Sequence, residues 1–542
     1  MPLPSLRCGV PVQSADTTEL SWQERLSRLG VWALCVAVLA RNLGPLKEGD
    51  EWMHLAIGRW MLQHGTLLPT PDPLIWNDRG GDMQHEWLAQ VVLAGVTQLF
   101  GFAGLRLLRG LLITAAAALV AQLLHRASQR WSTALAGTAL WWLVTQPHAA
   151  ARPHVLGWVF ALVTLGVVAG QPGPWSHRRW LVYSSLLVVW AQVHSSQLVA
   201  PAFLGLHTLS LCWHNWRDGR PVLEREWLVR TLIAGIAVLL QPCGWRLLPY
   251  ALRSPKVAEG LVDEWAPTWA PDIWHVQPWI PIILLLLLLA VPLVALWRKR
   301  PGNSPFPSFL PAMLAAIESL HTRRMTFFTW LPLLFVAGRA RIAIPATVQT
   351  VVACAIAASV WWTVGRVPEV WPANDWVRGN FPIAASQFLI STPLRGRLFN
   401  PDPWGGWLAW WSNGAVQPST DGRMLMAGRQ WALDSQAIQA HKPEAEGLLQ
   451  DNHIAVMMQR SADWLRIRPL NPQQFVLAWV DDTAVVILRR DKDFADNVQE
   501  VCAFYGKYPQ WLAMARWPVR LQGPPGQPSP TDVPSVLDVC EK

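Results

Sequence analysis

The stretch Pro278–Leu296, PWIPIILLLLLLAVPLVAL, carries no charged residue. About 20 apolar residues in a helix cross a bilayer, so a run of this kind reads as a membrane span. Such runs recur at Gly30–Leu43, Ala103–Leu124, Ser132–Val144, Val155–Val168, Trp180–Val193, Leu198–Leu211, Leu228–Leu240, Phe309–Leu320, Phe327–Val336 and Ala346–Val364. Only 15% of the residues are charged, against about 25% in soluble proteins. The expected fold class is mostly α, a polytopic membrane helix bundle of about 11 spans. Trp87–Phe100 is apolar but short, so it is expected to lie along the membrane surface. The 36 tryptophans suit the membrane–water interface, where an apolar ring with one N–H donor is at home.

Charge orients the bundle. With the polar segment 1–29 in the cytoplasm, the cytoplasmic connections are HRASQR (125–130), SHRR (176–179), RDGRPVLERE (217–226), RKR (298–300) and GRAR (338–341). Each is rich in Arg or Lys, as the positive-inside rule asks. The net charge of +9 is spread through these clusters and is no nucleic-acid signature. Segment 1–29 lacks a small-residue cleavage site, so the first span is expected to stay as an anchor.

After the membrane domain, residues 30–365, the composition becomes water-soluble in character. Residues 366–515 are expected to form an extracytoplasmic mixed α/β domain. FPIAASQFLIST reads as a helix, RGRLFNP and HIAVMMQ as strands, and QFVLAWVDDTAVVILRR as a hairpin. GPPGQPSPTDVPS (523–535) makes residues 516–542 a Pro-rich tail expected to be disordered. The seven cysteines show no metal-site spacing. Cys502 and Cys540 can pair if this part lies in an oxidising compartment.

The chemistry is concentrated in the first outer loop, residues 45–102. Within it, residues 48–90 carry Asp50, Glu51, His54, Asp72, Asp82, His85 and Glu86. A mere connector could be far shorter. A carboxylate at the edge of a membrane cavity can act as a base, because burial raises its pKa. Asp50 and Glu51 sit at that edge and diverge by about 100° on a helix, whereas His54 shares the Asp50 face. Glu86 also suits the first turn of a helix. The same side carries Arg152 and His154 in ARPH, His194, Gln241 in QPCGW, Glu264, and Arg323 and Arg324 in HTRR. Arginines kept where the positive-inside rule disfavours them point to an anionic ligand; the competing readings are ion pairs and snorkelling.

Read in order, DEWMHLAIGRWMLQHG, LPTPDP and HEWLAQ resemble the first outer loop of bacterial C-type membrane glycosyltransferases, the GT-C fold. ARPH resembles their A/S-R-P motif, and WAQVHSSQ (190–197) their W-A-N-x-H-G, with Gln192 in place of Asn. QPCGWRL (241–247) is similar to N-P-x-G-W, with Gln241 in place of Asn, and EWAP (264–267) to E-W-x-P. RRMTFF resembles R-N-x-P-L/F, with Met325 in place of Asn. RLFNPDPWGGWLAWW and DGR (421–423) are similar to the family's tail. The likeness covers most of residues 45–490.

The resemblance implies a glycosyltransferase of a bacterial inner membrane. It would move a sugar from a polyprenyl-phosphate-linked donor to a glycan, lipid or protein acceptor outside the cytoplasm. Carried over, Asp50 is the base, with Glu51 second, and His54, His85 and Glu86 shape the acceptor side. Arg152, Arg323 and Arg324 are the donor-phosphate residues. His154, His194, Gln241 and Glu264 line the cavity. Some members use a divalent metal, Mg or Mn, for which Asp50, Glu51 and Glu86 are the candidate ligands, although no spacing compels one. Trp404, Trp407, Trp410 and Trp411 would stack on sugars or pack on the membrane surface. The alternative is a non-catalytic, lipid-binding scaffold of polysaccharide assembly. A transporter fits poorly, because the charges lie on loops at one face and not at mid-bilayer.

Overall fold

The structure is a computed structural model and describes residues 21–80, 84–169, 175–258, 260–297, 308–340, 358, 361, 381–464, 470–471, 473–515 and 533–540. The first part is helical. It runs through α1 (Trp22–Asn42), α2 (Gly49–His64), α3 (Trp87–Ser128), α4 (Trp131–Thr145), α5 (Pro153–Val168), α6 (His177–Val193) and α7 (Val199–Arg217). It continues through α8 (Arg225–Leu239), α9 (Leu247–Ala258), α10 (Pro271–Val276), α11 (Trp279–Trp297), α12 (Phe309–His321) and α13 (Trp330–Ala340).

One boundary differs from expectation. Ser21 caps α1 by accepting the Glu24 amide at 3.3 Å, so the helix starts at Trp22, inside the polar segment 1–29. Trp87–Phe100, expected to lie along the membrane surface, is set off from the rest of α3 by a kink at Gly101, whose φ of 64° breaks the helix.

By length and composition, α3 and α11 can cross a membrane; α8 and Gly244–Lys256 do so only as one span bent by 100°. α5 and α12 are apolar but shorter. Among the described residues two helices, or three with the bent pair counted as one span, are thus long and apolar enough to cross a membrane, against about 11 expected spans. The expected eleventh span, Ala346–Val364, lies almost wholly outside the described residues.

α3 is the central strut, packing against α1, α2, α4 and α5. A core of large aromatics joins α4, α5 and the turn before α13. Trp158 stacks on Phe327 with centroids 4.8 Å apart, and Trp141 meets both edge-on.

The C-terminal unit is built on a four-stranded sheet of β1 (Arg397–Phe399), β2 (Ile454–Arg460), β3 (Phe475–Val480) and β4 (Ala484–Arg489). The order is β1-β2-β4-β3, with β1 parallel to β2 and the other pairs antiparallel. The expected hairpin is β3–β4, and Asp481 shapes its turn by accepting the amides of Thr483 and Ala484 at 2.7 and 2.8 Å. The strands are buried on both faces, as a central layer must be. Phe388, Phe504 and Tyr505 cover one face, and Trp431 and Trp464 the other.

Residues 533–540, within the tail expected to be disordered, fold onto this unit instead. Leu477 donates its amide to the Pro534 carbonyl at 2.9 Å, and Cys502 is disulfide-bonded to Cys540.

The helix Asp402–Trp411 fastens this unit to α2. A Cβ on Gly49 would collide with the Pro403 backbone, and one on Gly406 with the backbone of Met53. Trp52 meets Trp407 and Phe381 at 4.8 and 5.9 Å. Arg59 lies over the Trp410 ring at 4.0 Å and donates to the carbonyls of Ala409 and Trp410, cations being favoured at a helix C-terminus. Trp404, Trp407 and Trp410 are therefore buried in this junction and face no sugar, whereas Trp411 keeps 39% of its surface exposed.

Candidate active site

One end of the bundle encloses a cavity of about 650 Å³. The chain reaches it just after α1 at Lys47, at the start of α2, just before α3, at the start of α5, at the end of α6 and just before α13. Sequence-distant turns thereby bring together Asp50, His54, His85, Glu86, Arg152, His154, His194, Glu264 and Arg324, all on its wall.

Arg152 is the hub of one wall. It is the N-cap residue of α5, where a cation meets the positive end of the helix. Three carboxylates compensate: Asp50 Oδ2 at 2.7 Å, Glu48 Oε2 at 3.4 Å, and Glu264. Arg152 is therefore matched by three protein acids, while its buried Nε has no hydrogen-bond partner among the described residues. Arg324 is less committed. It lies 4.0 Å from Glu264, over the Trp265 ring, and keeps 35% of its side chain exposed.

The acids of this wall separate by environment. Burial pushes Asp50 up to about 6 against the opposing pull of Arg152, with Glu264, Asp402 and Asp421 adding to the rise. Burial lifts Glu48 to about 7, again against Arg152. Burial would raise Glu264 too, but Arg152 and Arg324 outweigh it and hold its carboxyl well below the usual range. Asp50 thus titrates close to neutral pH, where a general base works best.

The second wall is a carboxylate ringed by imidazoles. Glu86 Oε1 lies 3.1 Å from His194 Nε2 and 3.4 Å from His85 Nε2, while Oε2 lies 3.8 Å from His54 Nδ1. Burial opposes ionisation of Glu86, yet His85 and His194 overcome it and hold the carboxyl well below its ordinary value. His194 Nδ1 accepts the Ser196 amide at 3.0 Å, so its proton sits on Nε2 and is donated to Glu86. The Gln90 amide nitrogen lies 3.2 Å from His54 Nδ1, and burial holds His54 neutral by lowering it to about 3.

The third wall comes from the C-terminal unit, whose individual cavity residues the sequence reading did not single out. Asp402, Gly422 and Arg423 line the cavity. Gly422 has φ +98°, and a methyl group on it would lie 2.5 Å from Asp50 Oδ1. Its amide donates to Asp402 Oδ1 at 3.1 Å. Arg423 donates to Asp421 and, at 2.7 Å, to Asp72 of the first loop; both acids are buried. The motifs NPDP and DGR were the available signal, but nothing in a linear reading says which residues of a motif will close a distant cavity.

Three expected site residues point elsewhere. Glu51 is 1% exposed and sits 3.4 Å from Arg109 on α3; it also accepts the amides of Lys47, Glu48 and Ala151. It ties α2 to α3 and to the start of α5. Arg323 binds both oxygens of Asp272 at 2.7 and 2.6 Å, away from the cavity. Gln241 is buried, donates to the Val238 carbonyl at 3.0 Å, and does not line the cavity. With Glu51 so engaged, Asp50, Glu51 and Glu86 do not assemble as a ligand set for Mg or Mn. Among the described residues no group of three or more His, Cys, Asp and Glu is arranged to hold a metal ion.

No family model and no curated protein matches the chain. Solved structures do. AglB, the archaeal oligosaccharyltransferase from Archaeoglobus fulgidus in complex with an inhibitory peptide and a dolichol-phosphate, aligns with a TM-score of 0.51 at 11% identity, over 81% of this chain and 70% of that one. The Archaeoglobus fulgidus oligosaccharyltransferase tethered to an acceptor peptide containing the NVT sequon gives 0.50 at 10% identity, over 82% and 69%. ArnT from Cupriavidus metallidurans bound to undecaprenyl phosphate gives 0.46 at 13% identity, over 85% and 97%. At such identities the likeness is one of architecture: the chain has the fold of the archaeal oligosaccharyltransferase, which is the GT-C fold that its loop motifs resemble.

Proposed function

We propose that the chain is a membrane glycosyltransferase that moves a sugar from a polyprenyl-phosphate-linked donor to an acceptor hydroxyl. The observation that carries this is the placement of Asp50. Its carboxyl titrates near neutrality on a cavity wall shared with Arg324, at the end of a membrane bundle. In the transfer, Asp50 takes the acceptor proton as the acceptor oxygen bonds to the anomeric carbon. The bond from that carbon to the phosphate oxygen breaks, and the polyprenyl phosphate departs. Arg324 meets the charge that grows on the leaving phosphate. Arg152 holds Asp50 in place and leaves the phosphate to Arg324. Glu86 keeps His85 and His194 oriented toward the acceptor side. The dolichol-phosphate held by the archaeal oligosaccharyltransferase and the acceptor peptide tethered to it in a second structure support a lipid-linked donor and a bulky acceptor.

In this reading residues 30–365 form the membrane domain and 366–515 an outer domain. The cavity faces away from the cytoplasm of a bacterial inner membrane, as the arginine-rich connections imply. The test uses the full-length protein in detergent or vesicles with a synthetic polyprenyl-phosphate sugar. Asp50→Asn should abolish transfer while the folded amount and lipid binding persist. A second reading, a lipid-binding scaffold without catalysis, is favoured by one observation: Arg152 is already matched by three carboxylates. Under it, Asp50→Asn leaves the host's glycans unchanged.

A further inference from the structure

The Asp50 carboxylate has an unusual neighbour in the C-terminal unit. A methyl group on Gly422 would lie 2.5 Å from Asp50 Oδ1, and the turn that carries Gly422 is held by Asp402 together with Asn400, which donates to the Thr420 carbonyl at 3.0 Å. Asp402 Oδ1 accepts both the Gly422 amide and the Thr420 hydroxyl. Asp402 is itself fixed, because it opens the helix whose residues Pro403 and Gly406 abut the backbone of α2 on either side of Asp50. One short path therefore runs from α2 through Pro403 to Asp402, Gly422 and back to the Asp50 side chain.

We propose that Asp402 is the positioning residue for Asp50, holding the Gly422 turn beside the carboxylate and limiting the water that reaches a side chain 31% exposed. The proposal rests on the reading of Asp50 as the base. The groups facing Asp50 are Glu48 on its own element, Arg152 at the start of α5, Glu264, and Asp402 and Asp421 of the C-terminal unit. Loosening the turn through Asp402→Ala removes the Asp402 charge, which itself raises Asp50, and also lets more water reach the carboxyl; both ease its ionisation.

The Asp50 carboxyl stretch of the purified full-length protein can be followed by infrared spectroscopy across pH, with Asp50→Asn identifying the band. In Asp402→Ala the midpoint should fall by about one pH unit, a tenfold loss of proton affinity. Asp402→Asn removes the same charge but keeps the carbonyl oxygen that accepts from Gly422 and Thr420, and should show a clearly smaller fall. Size-exclusion and melting profiles confirm that each variant is folded. An unshifted midpoint in Asp402→Ala overturns the proposal. So does an equal fall in Asp402→Asn, which would make charge, not position, the link. Neither outcome depends on sugar transfer, so failure here is distinct from failure of the glycosyltransferase reading.

Discussion

Glu51 Oε1 lies 3.4 Å from Arg109 Nη1, with 1% and 6% of the two side chains exposed, one residue away from an acid that faces the cavity. Adjacent carboxylates thus take opposite duties, and substitution should separate them. Removing one partner of a buried pair costs about 3–5 kcal/mol. Glu51→Ala should lose stability on that scale, read as a lower melting temperature and yield in detergent. A variant that melts like the parent would contradict the anchoring role.

Asp50→Asn should behave in the opposite manner. Loss of a positioned base costs about 10²–10⁴-fold in rate, with folding retained. The pH dependence has a definite sign. The carboxyl binds its proton more tightly folded, at about 6, than unfolded, at about 3.9. Its contribution to stability is therefore present at low pH and lost as pH rises through about 6. Activity should rise through the same range as the base ionises. At pH 8 Asp50→Asn should melt no lower than the parent; a clear drop would show that its ion pair with Arg152 outweighs the cost of burial.

Gly422→Ala places a methyl group 2.5 Å from Asp50 Oδ1 at a backbone with φ +98°. The conformation alone costs roughly 1–3 kcal/mol. A misplaced reacting group can cost on the order of 10²-fold in rate. The expected outcome is a fall in kcat larger than any fall in lipid affinity, measured by transfer kinetics beside polyprenyl-phosphate binding.

Arg324→Gln and Arg323→Gln test two neighbours that diverge. Arg324 faces the cavity and should weaken binding of polyprenyl phosphate when replaced. Arg323 pairs with Asp272, which is 60% exposed. Arg323 itself is only 10% exposed and lies off the cavity, so its loss can cost stability but should leave lipid binding alone. Equal effects from the two substitutions would count against Arg324 as the phosphate contact.

Much of this was legible beforehand. Period and length located α1, α4 to α8 and α11 to α13, and the β3–β4 hairpin was read from two apolar runs around Asp481. Asp50 and His54 share a cavity because four helical residues bring them to one face. What the chain did not disclose was which way neighbours turn. Glu51 and Arg323 sit beside true cavity residues, and one helical step of about 100° sends each into a separate ion pair. Gln241 follows a motif yet spends its amide on the helix end behind it. Asp402, Gly422 and Arg423 were hidden for another reason. They reach the cavity only after some 350 residues of chain have folded back, and closures of that length leave no local trace.

The flush seam between α2 and the helix Asp402–Trp411 bears on how such a protein can be re-engineered or diversify. With no gap at Gly49 or Gly406, the C-terminal unit cannot be exchanged for a foreign one like a cap on a jar. A transplant would have to bring its own small residues at both places, and a trimmed bundle would bare Trp52 and leave the cavity one wall short.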